Sequence, residues 1–390
     1  MTARERPATA AGDRPATPAR PATPARPATP ARPATPAGRS TPATPDLAAW
    51  PKAELHLHLD GSVRIATALD LARTRNVDAP RDEASMRAAL VAPAHGASQA
   101  ELLRSFDVPI RLLQDRDALA RVAAELVEAK AADGVRYVEI RWAPSLHTTG
   151  GLSAAEVIAA VADGTEEGTR HATAAGHPIV ARLIVTAIRS ADPEANRRLA
   201  VTAGGLQVRG VVGWDLAGEE ERYPDPLRHK PAFDAARALG LHITCHAGEW
   251  GGAGQVRRAM ALRPERIAHG SVASRSPKLL AELKAQGVTL DLCPTSNVQA
   301  GIYADVARHP LRRLHRAGVS VTLSTDDMTV SDLTLTEEYR RAIEAIGLTP
   351  AELWAIDRRA LDVAFGDEAT LAPLRAEFDA WAARYPGLSG

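Results

Sequence analysis

From Leu47 onward the chain alternates short runs of β-branched and other apolar residues with longer stretches in which Ala, Arg, Leu and Glu recur at helical spacing. This is the texture of repeating βα units. Eight runs read as strands: 53–59, 135–142, 179–188, 210–216, 241–246, 266–269, 288–293 and 319–324. Helical stretches lie between most of them, at 117–132, 154–175, 231–239 and 277–286 among others. Eight strands with intervening helices predict an α/β fold closed into a TIM (β/α)8 barrel, and the roughly 340 residues involved are a usual length for one such domain. The interval 64–134 is too long for a single helix and predicts several, inserted after the first strand where they can cover the barrel mouth. The stretch 349–385 predicts terminal helices packed outside the barrel.

The first 46 residues are a different material, built on a six-residue repeat, PATPAR, that begins at Pro15, Pro21 and Pro27 and trails off at Pro33. Pro removes backbone donors, Ala and Thr offer little to bury, and the recurring Arg prefers water, so 1–46 reads as a disordered arm. A solvated tail is the plain reading, a tether for an acidic surface the other. Residues 47–390 are then the catalytic domain. With 45% hydrophobic and 24% charged residues the chain can bury a substantial core. Zero net charge and a pI near 7.2 offer no footprint for nucleic acid or membrane and favour a small-molecule partner. No apolar run approaches the ~20 residues of a membrane span, and the start has no apolar leader, so a cytoplasmic location is expected. Cys245 and Cys293 are too few and too far apart for a disulfide framework. The lack of an exposed heptad or apolar stripe predicts a monomer or weak homodimer.

On such a barrel the active site is built at the carboxyl ends of the strands, and the polar residues collect there. Strand one ends in Leu55-His56-Leu57-His58-Leu59-Asp60, and strand five in His246-Ala247-Gly248-Glu249. Strand six ends at His269, and strand eight in Asp326-Asp327. Residues two apart on a strand share a face, so His56 and His58 together make half of a metal chelate. Zinc takes four nitrogen, sulfur or carboxylate ligands, and His246 with Asp326 would complete the set while water fills the open position. Glu249 suits a proton carrier near that water, and His269 is placed to orient the water and accept its proton. Adjacent acids cannot face one way, so Asp326 and Asp327 predict pKa values pushed apart, one carboxyl staying protonated.

These stretches resemble the adenosine deaminase family: AELHLHLDGS from Ala53, GWDLAGE from Gly213, HAGE from His246, RIAHG from Arg266, CPTSN from Cys293 and STDD from Ser324, in the family's order along the whole barrel. The resemblance implies one Zn²⁺ per chain, held by His56, His58, His246 and Asp326. It implies Glu249 and His269 as the catalytic pair and substrate contacts from His58, Asp60, Gly218 and Asp327. Glu249 would protonate N1 of the purine, Asp327 meet N7, the Gly218 amide meet N3, and Asp60 contact the sugar hydroxyls. The implied reaction is hydrolytic deamination of adenosine, with 2′-deoxyadenosine, to inosine and ammonia. Phe106 matches a region that forms an apolar lid over the base. Met328, where the family commonly has Pro, and Trp250, where smaller or acidic residues are common, depart from the pattern beside the substrate pocket.

Several readings compete. Other 6-aminopurines are alternative substrates: adenine, a futalosine-type derivative, an N6-modified AMP or a specialised nucleoside. Asp60 leans towards a sugar-bearing one. A two-metal amidohydrolase would need a bridging carboxylated lysine after strand four, where this chain has Trp214-Asp215-Leu216-Ala217-Gly218 and no lysine before Lys230. A cytidine-type deaminase is excluded by cysteine count and spacing. A non-catalytic nucleoside-binding barrel would be expected to lose a ligand or the proton carrier, and this chain keeps every one.

Overall fold

The computed structural model describes residues 45–388, so the expected arm lies, save its last two positions, outside the described residues. Eight parallel strands follow one another around a barrel in chain order: β1 (Lys52–His58), β2 (Val135–Trp142), β3 (Val180–Ile188), β4 (Val211–Ala217), β5 (His242–Ala247), β6 (Arg266–His269), β7 (Thr289–Leu292) and β8 (Val321–Leu323). Each expected strand is present within two residues at either end. The seam between β8 and β1 is closed by a parallel bridge, Leu57 to Asp326, just past the end of β8. There the Asp326 N–H donates to the His56 carbonyl at 3.1 Å, and the His58 N–H to the Asp326 carbonyl at 2.7 Å.

The interval after β1 holds five α-helices, Ile65–Thr74, Glu83–Leu90, Gln99–Leu103, Asp107–Leu112 and Arg116–Ala132, and the chain's end holds Pro350–Val363 and Glu368–Ala382. Their starts follow capping chemistry. Ser98 and Ser153 form capping boxes with Glu101 and Glu156, and Asp115 accepts from the Ala118 N–H. Among the described residues, no helix is long and apolar enough to cross a membrane. Cys245 and Cys293 are free, buried thiols.

Inside the barrel the strands supply charge rather than a purely aliphatic filling. Arg266 of β6 donates to Glu139 of β2 and, at 3.0 Å, to Asp291 of β7. Arg141 of β2 lies 3.4 Å from Asp215 of β4 and 3.7 Å from Asp291, and it donates to the Leu55 carbonyl at 2.7 Å. All five side chains are fully buried. Buried charges persist only when paired and hydrogen-bonded, and here each Arg is shared between two carboxylates.

At the other end of β1, Trp50 is fully buried against Trp381, Trp354 and Tyr339, with ring centroids 5.3, 5.4 and 6.3 Å away. Its indole N–H donates to Asp357, which also accepts from the Ala53 N–H and the Tyr339 hydroxyl. One carboxyl thereby ties β1 to the terminal helices. Burial pushes Asp357 up to about 6, against the pull of its three donors. An acid with a folded pKa above its unfolded value of ~3.9 holds more protons folded than unfolded, so its contribution to stability declines as pH climbs from about 4 to about 6. Relative to Asp357→Asn, the wild type is expected to lose stability over that window by on the order of 2 kcal/mol. Urea unfolding at pH 4.5 and pH 6.5 checks this, and parallel shifts in the two proteins would disprove it.

Candidate active site

The carboxyl ends of β1, β5, β6 and β8 bring the sequence-predicted groups to one place. One donor atom from each of His56, His58, His246 and Asp326 lies within 4.8 Å of the others. The Nε2 atoms of His58 and His246 are 3.2 Å apart, and Asp326 Oδ1 sits 2.9 Å from His56 Nε2 and 3.4 Å from His58 Nε2. Neither ring nitrogen of the fully buried His56 has a hydrogen-bond partner. Four such donor atoms crowded this closely fit a cation, and three imidazoles with one carboxylate are a donor set that zinc takes.

The electrostatics agree. Burial, then Arg141, pushes His56 well down, and burial brings His58 to about 4, so both imidazoles present lone pairs at neutral pH. Burial works against ionisation of Asp326, but His56, His269 and His58 outweigh it and hold this carboxyl well below its ordinary range. Its neighbour behaves oppositely. Burial, Asp326, Asp60 and Glu249 push Asp327 well up, as expected for adjacent acids in one pocket. The backbone pays for this arrangement with left-handed φ at two non-glycine positions, +65° at His269 and +69° at Asp326.

Glu249 leaves β5 toward the same space. Its Oε2 is 3.6 Å from His269 Nε2, and burial, followed by the Asp326 charge, raises its carboxyl to about 8. Asp327 Oδ1 is buried without a partner and lies where Gly61 passes, so close that a Cβ on Gly61 would stand 1.6 Å from it. Asp60 is buried 3.8 Å from His147 Nε2; burial would raise its carboxyl, but His147 outweighs that and lowers it. Gly218, at φ +106°, turns the chain out of β4.

Other members were not singled out from sequence. Asp215 accepts from His246 Nδ1, 2.9 Å from Oδ2, which fixes the ring so that Nε2 faces the cluster. Ser296 donates to Asp326 Oδ2 at 2.7 Å, leaving Oδ1 for the cluster. Glu220 accepts from the Gly248, Trp250 and Gly251 amides at 2.7, 2.8 and 3.0 Å and so clamps the loop that carries Glu249. Gln99, with its amide oxygen facing that loop, accepts from the Glu220 N–H and the Trp250 indole, each at 3.1 Å. Phe106 and Trp250 pack on a small apolar cluster of Ala92, Ala97, Leu102, Ala300 and Val330, separate from the main core, while Met328 packs against the main core. A cleft of about 850 Å³ at the amino ends of β3, β4 and β5 holds none of these groups.

The family described as adenosine deaminase matches residues 51–381. An adenosine deaminase of Mycolicibacterium gilvum is 40% identical over 329 residues, covering 81% of this chain and 90% of that protein. One of Enterococcus faecalis is 35% identical over 315 residues, covering 81% and 92%. Among solved structures, an Arabidopsis N6-mAMP deaminase is similar with TM-score 0.76 and 28% identity, over 86% of this chain and 99% of that one. A Burkholderia ambifaria amidohydrolase with bound Zn is similar with TM-score 0.76 and 28% identity, over 86% and 93%.

Proposed function

The chain belongs to the adenosine deaminase family, and from that premise we propose that it exchanges the 6-amino group of adenosine, and of 2′-deoxyadenosine, for a water oxygen, releasing inosine or deoxyinosine and ammonia. One observation carries the reading: four metal-ligating side chains converge beside two carboxyls, Glu249 and Asp327, whose pKa values are raised. His56, His58, His246 and Asp326 would hold a single Zn²⁺, which when bound supplies Lewis acidity that makes water a better nucleophile near neutral pH.

The side chains divide the remaining work. Glu249, as a neutral acid, gives its proton to N1 of the purine, which draws electron density from C6 and opens that carbon to addition. The C6–O bond forms as water gives one proton to the carboxylate that Glu249 has become; that proton passes to the amino nitrogen, the C6–N bond breaks to release ammonia, and the remaining hydroxyl proton restores Glu249 as the C6 carbonyl forms, leaving inosine with its proton on N1. Asp327 must carry a proton to donate to N7, a pure acceptor, and its raised pKa supplies that proton. The Gly218 N–H serves N3, and His58 and Asp60 lie on the sugar side, Asp60 accepting from hydroxyls. His269, its Nε2 3.6 Å from Glu249 Oε2, orients the attacking water.

A second reading, deamination of an N6-modified AMP, is favoured by the similarity to the Arabidopsis N6-mAMP deaminase. Asp60 opposes it, because a buried carboxylate on the sugar side repels a phosphate dianion. The purified, zinc-loaded chain is expected to give the ultraviolet change of adenosine turning into inosine, and a chelator is expected to abolish it until zinc is restored. Comparing kcat/KM for adenosine, 2′-deoxyadenosine, adenine, AMP and N6-methyl-AMP separates the readings. A higher value for either nucleotide than for adenosine would overturn the nucleoside assignment.

A further inference from the structure

We infer that Asn297 and His309 lock the ring of His269 with Nδ1 as an acceptor, so that His269 meets the attacking water as a hydrogen-bond donor through Nε2. The attacking water rests on the deaminase reading; the position of the proton does not.

The Leu311 N–H points at His309 Nδ1, 3.3 Å away, and an amide N–H can only donate, so Nδ1 of His309 carries no proton. His309 is buried, and burial pushes its pKa down to about 3, so at neutral pH the ring is neutral with its one proton on Nε2. That Nε2 lies 3.1 Å from Asn297 Oδ1. The Ser271 hydroxyl donates to the same Oδ1 at 3.1 Å and itself receives from the Tyr303 hydroxyl at 3.2 Å. The His309 Nε2–H can only donate and so marks that amide atom as the carbonyl oxygen, and the Ser271 hydroxyl, which can turn either way, donates to it too. The NH₂ end of Asn297 therefore faces His269 Nδ1, at 3.1 Å.

An NH₂ group has only protons to offer, so a proton on His269 Nδ1 would stand against another donor in a fully buried place. Turning the amide over would set its NH₂ against the His309 Nε2–H instead. The chain Leu311, His309, Asn297, His269 thus has one consistent assignment, which ends with the His269 proton on Nε2. That atom looks onto acceptors, Glu249 Oε2 at 3.6 Å and Asp326 Oδ2 at 3.8 Å. Nε2 already holds its proton and cannot take another from water while the Asn297 bond stands. Its use is a dipole aimed at the oxygen that gains charge during addition, preset by residues that never touch substrate. This departs from the expectation that His269 accepts the water's proton. Asn297 and His309 are positioning residues.

Long-range ¹H–¹⁵N spectra of the zinc-loaded full chain, labelled at histidine nitrogen, read the proton directly. His269 is identified by the signals missing in His269→Gln. A protonated Nε2 and a bare Nδ1 are expected, and a protonated Nδ1 would overturn the inference. Asn297→Asp replaces the donor with an acceptor. It is expected to move the His269 proton to Nδ1 and to lower kcat about 10- to 100-fold while KM stays within about twofold. Unchanged or faster turnover with the proton on Nδ1 would refute the donor role. Should Asn297→Asp fail to fold, the wild-type spectrum still decides the tautomer. A bare Nδ1 in protein without activity on any of the aminopurines above would uphold the tautomer and overturn the deaminase reading alone.

Discussion

Glu249→Gln is expected to bind zinc as the wild type does and to deaminate adenosine at least about 10²-fold more slowly in kcat. The substitution keeps the shape and the hydrogen-bonding reach of the side chain, and the loop that carries it stays clamped by Glu220. What it removes is the transferable proton. An amide can donate a hydrogen bond to N1 but cannot protonate it, so C6 stays electron-rich and addition is slow. The raised pKa of Glu249, set by burial and the Asp326 charge, is the property that lets a carboxyl hold a proton where this step needs one. Metal content per chain by elemental analysis and kcat by ultraviolet absorbance are measured on the same preparation. Near-full turnover with full metal content would remove Glu249 from the chemistry.

Arg266→Met is expected to destabilise the domain by about 3–5 kcal/mol without changing any residue at the barrel mouth. Arg266 is buried among Glu139, Asp291 and the Val363 carbonyl, and its guanidinium lies 3.6 Å over the Phe365 ring. Methionine fills much of the volume but leaves the fully buried Glu139 without a cationic partner and Asp291 with Arg141 alone. The uncompensated charge is the source of the loss, so converting Glu139 to Leu in the same chain is expected to recover part of it. Denaturant unfolding of the three proteins, at equal slope, gives the differences. A shift under about 1 kcal/mol for Arg266→Met would mean the pairs are less strongly coupled than their burial implies.

The barrel was legible because its strands are short, separate and counted by local pattern, and because the chemistry sits at their carboxyl ends, where sequence position and spatial position coincide. His56 and His58 sit two apart on one strand, His246 and His269 close neighbouring strands, and Asp326 follows the last, so five residues could be placed together once the fold was read. The supporting shell was not legible, for a physical reason. Asp215 orients His246 because β4 and β5 are neighbours at matching depth, and no local period encodes depth. Asn297 meets His269 from the short helix Pro294–Gln299, and His309 meets Asn297 from the segment that follows, so no spacing along the chain links the three. The charged layers formed by Glu139, Arg141, Asp215, Arg266 and Asp291 look like interruptions in apolar runs until the strand order pairs them.

At the seam of the barrel, Asp326 is both the residue that bridges β8 to β1 and the carboxylate of the histidine cluster. An ion gripped by all four donors is a clasp between the earliest strand to leave the ribosome and the latest. No nascent fragment that stops before Asp326 can hold it, because loading waits for the cylinder to meet its own beginning. Withdrawing the ion should loosen that joint before any other, with amide exchange rising first at His58 and Asp326 while the ladders between β2 and β3 stay protected.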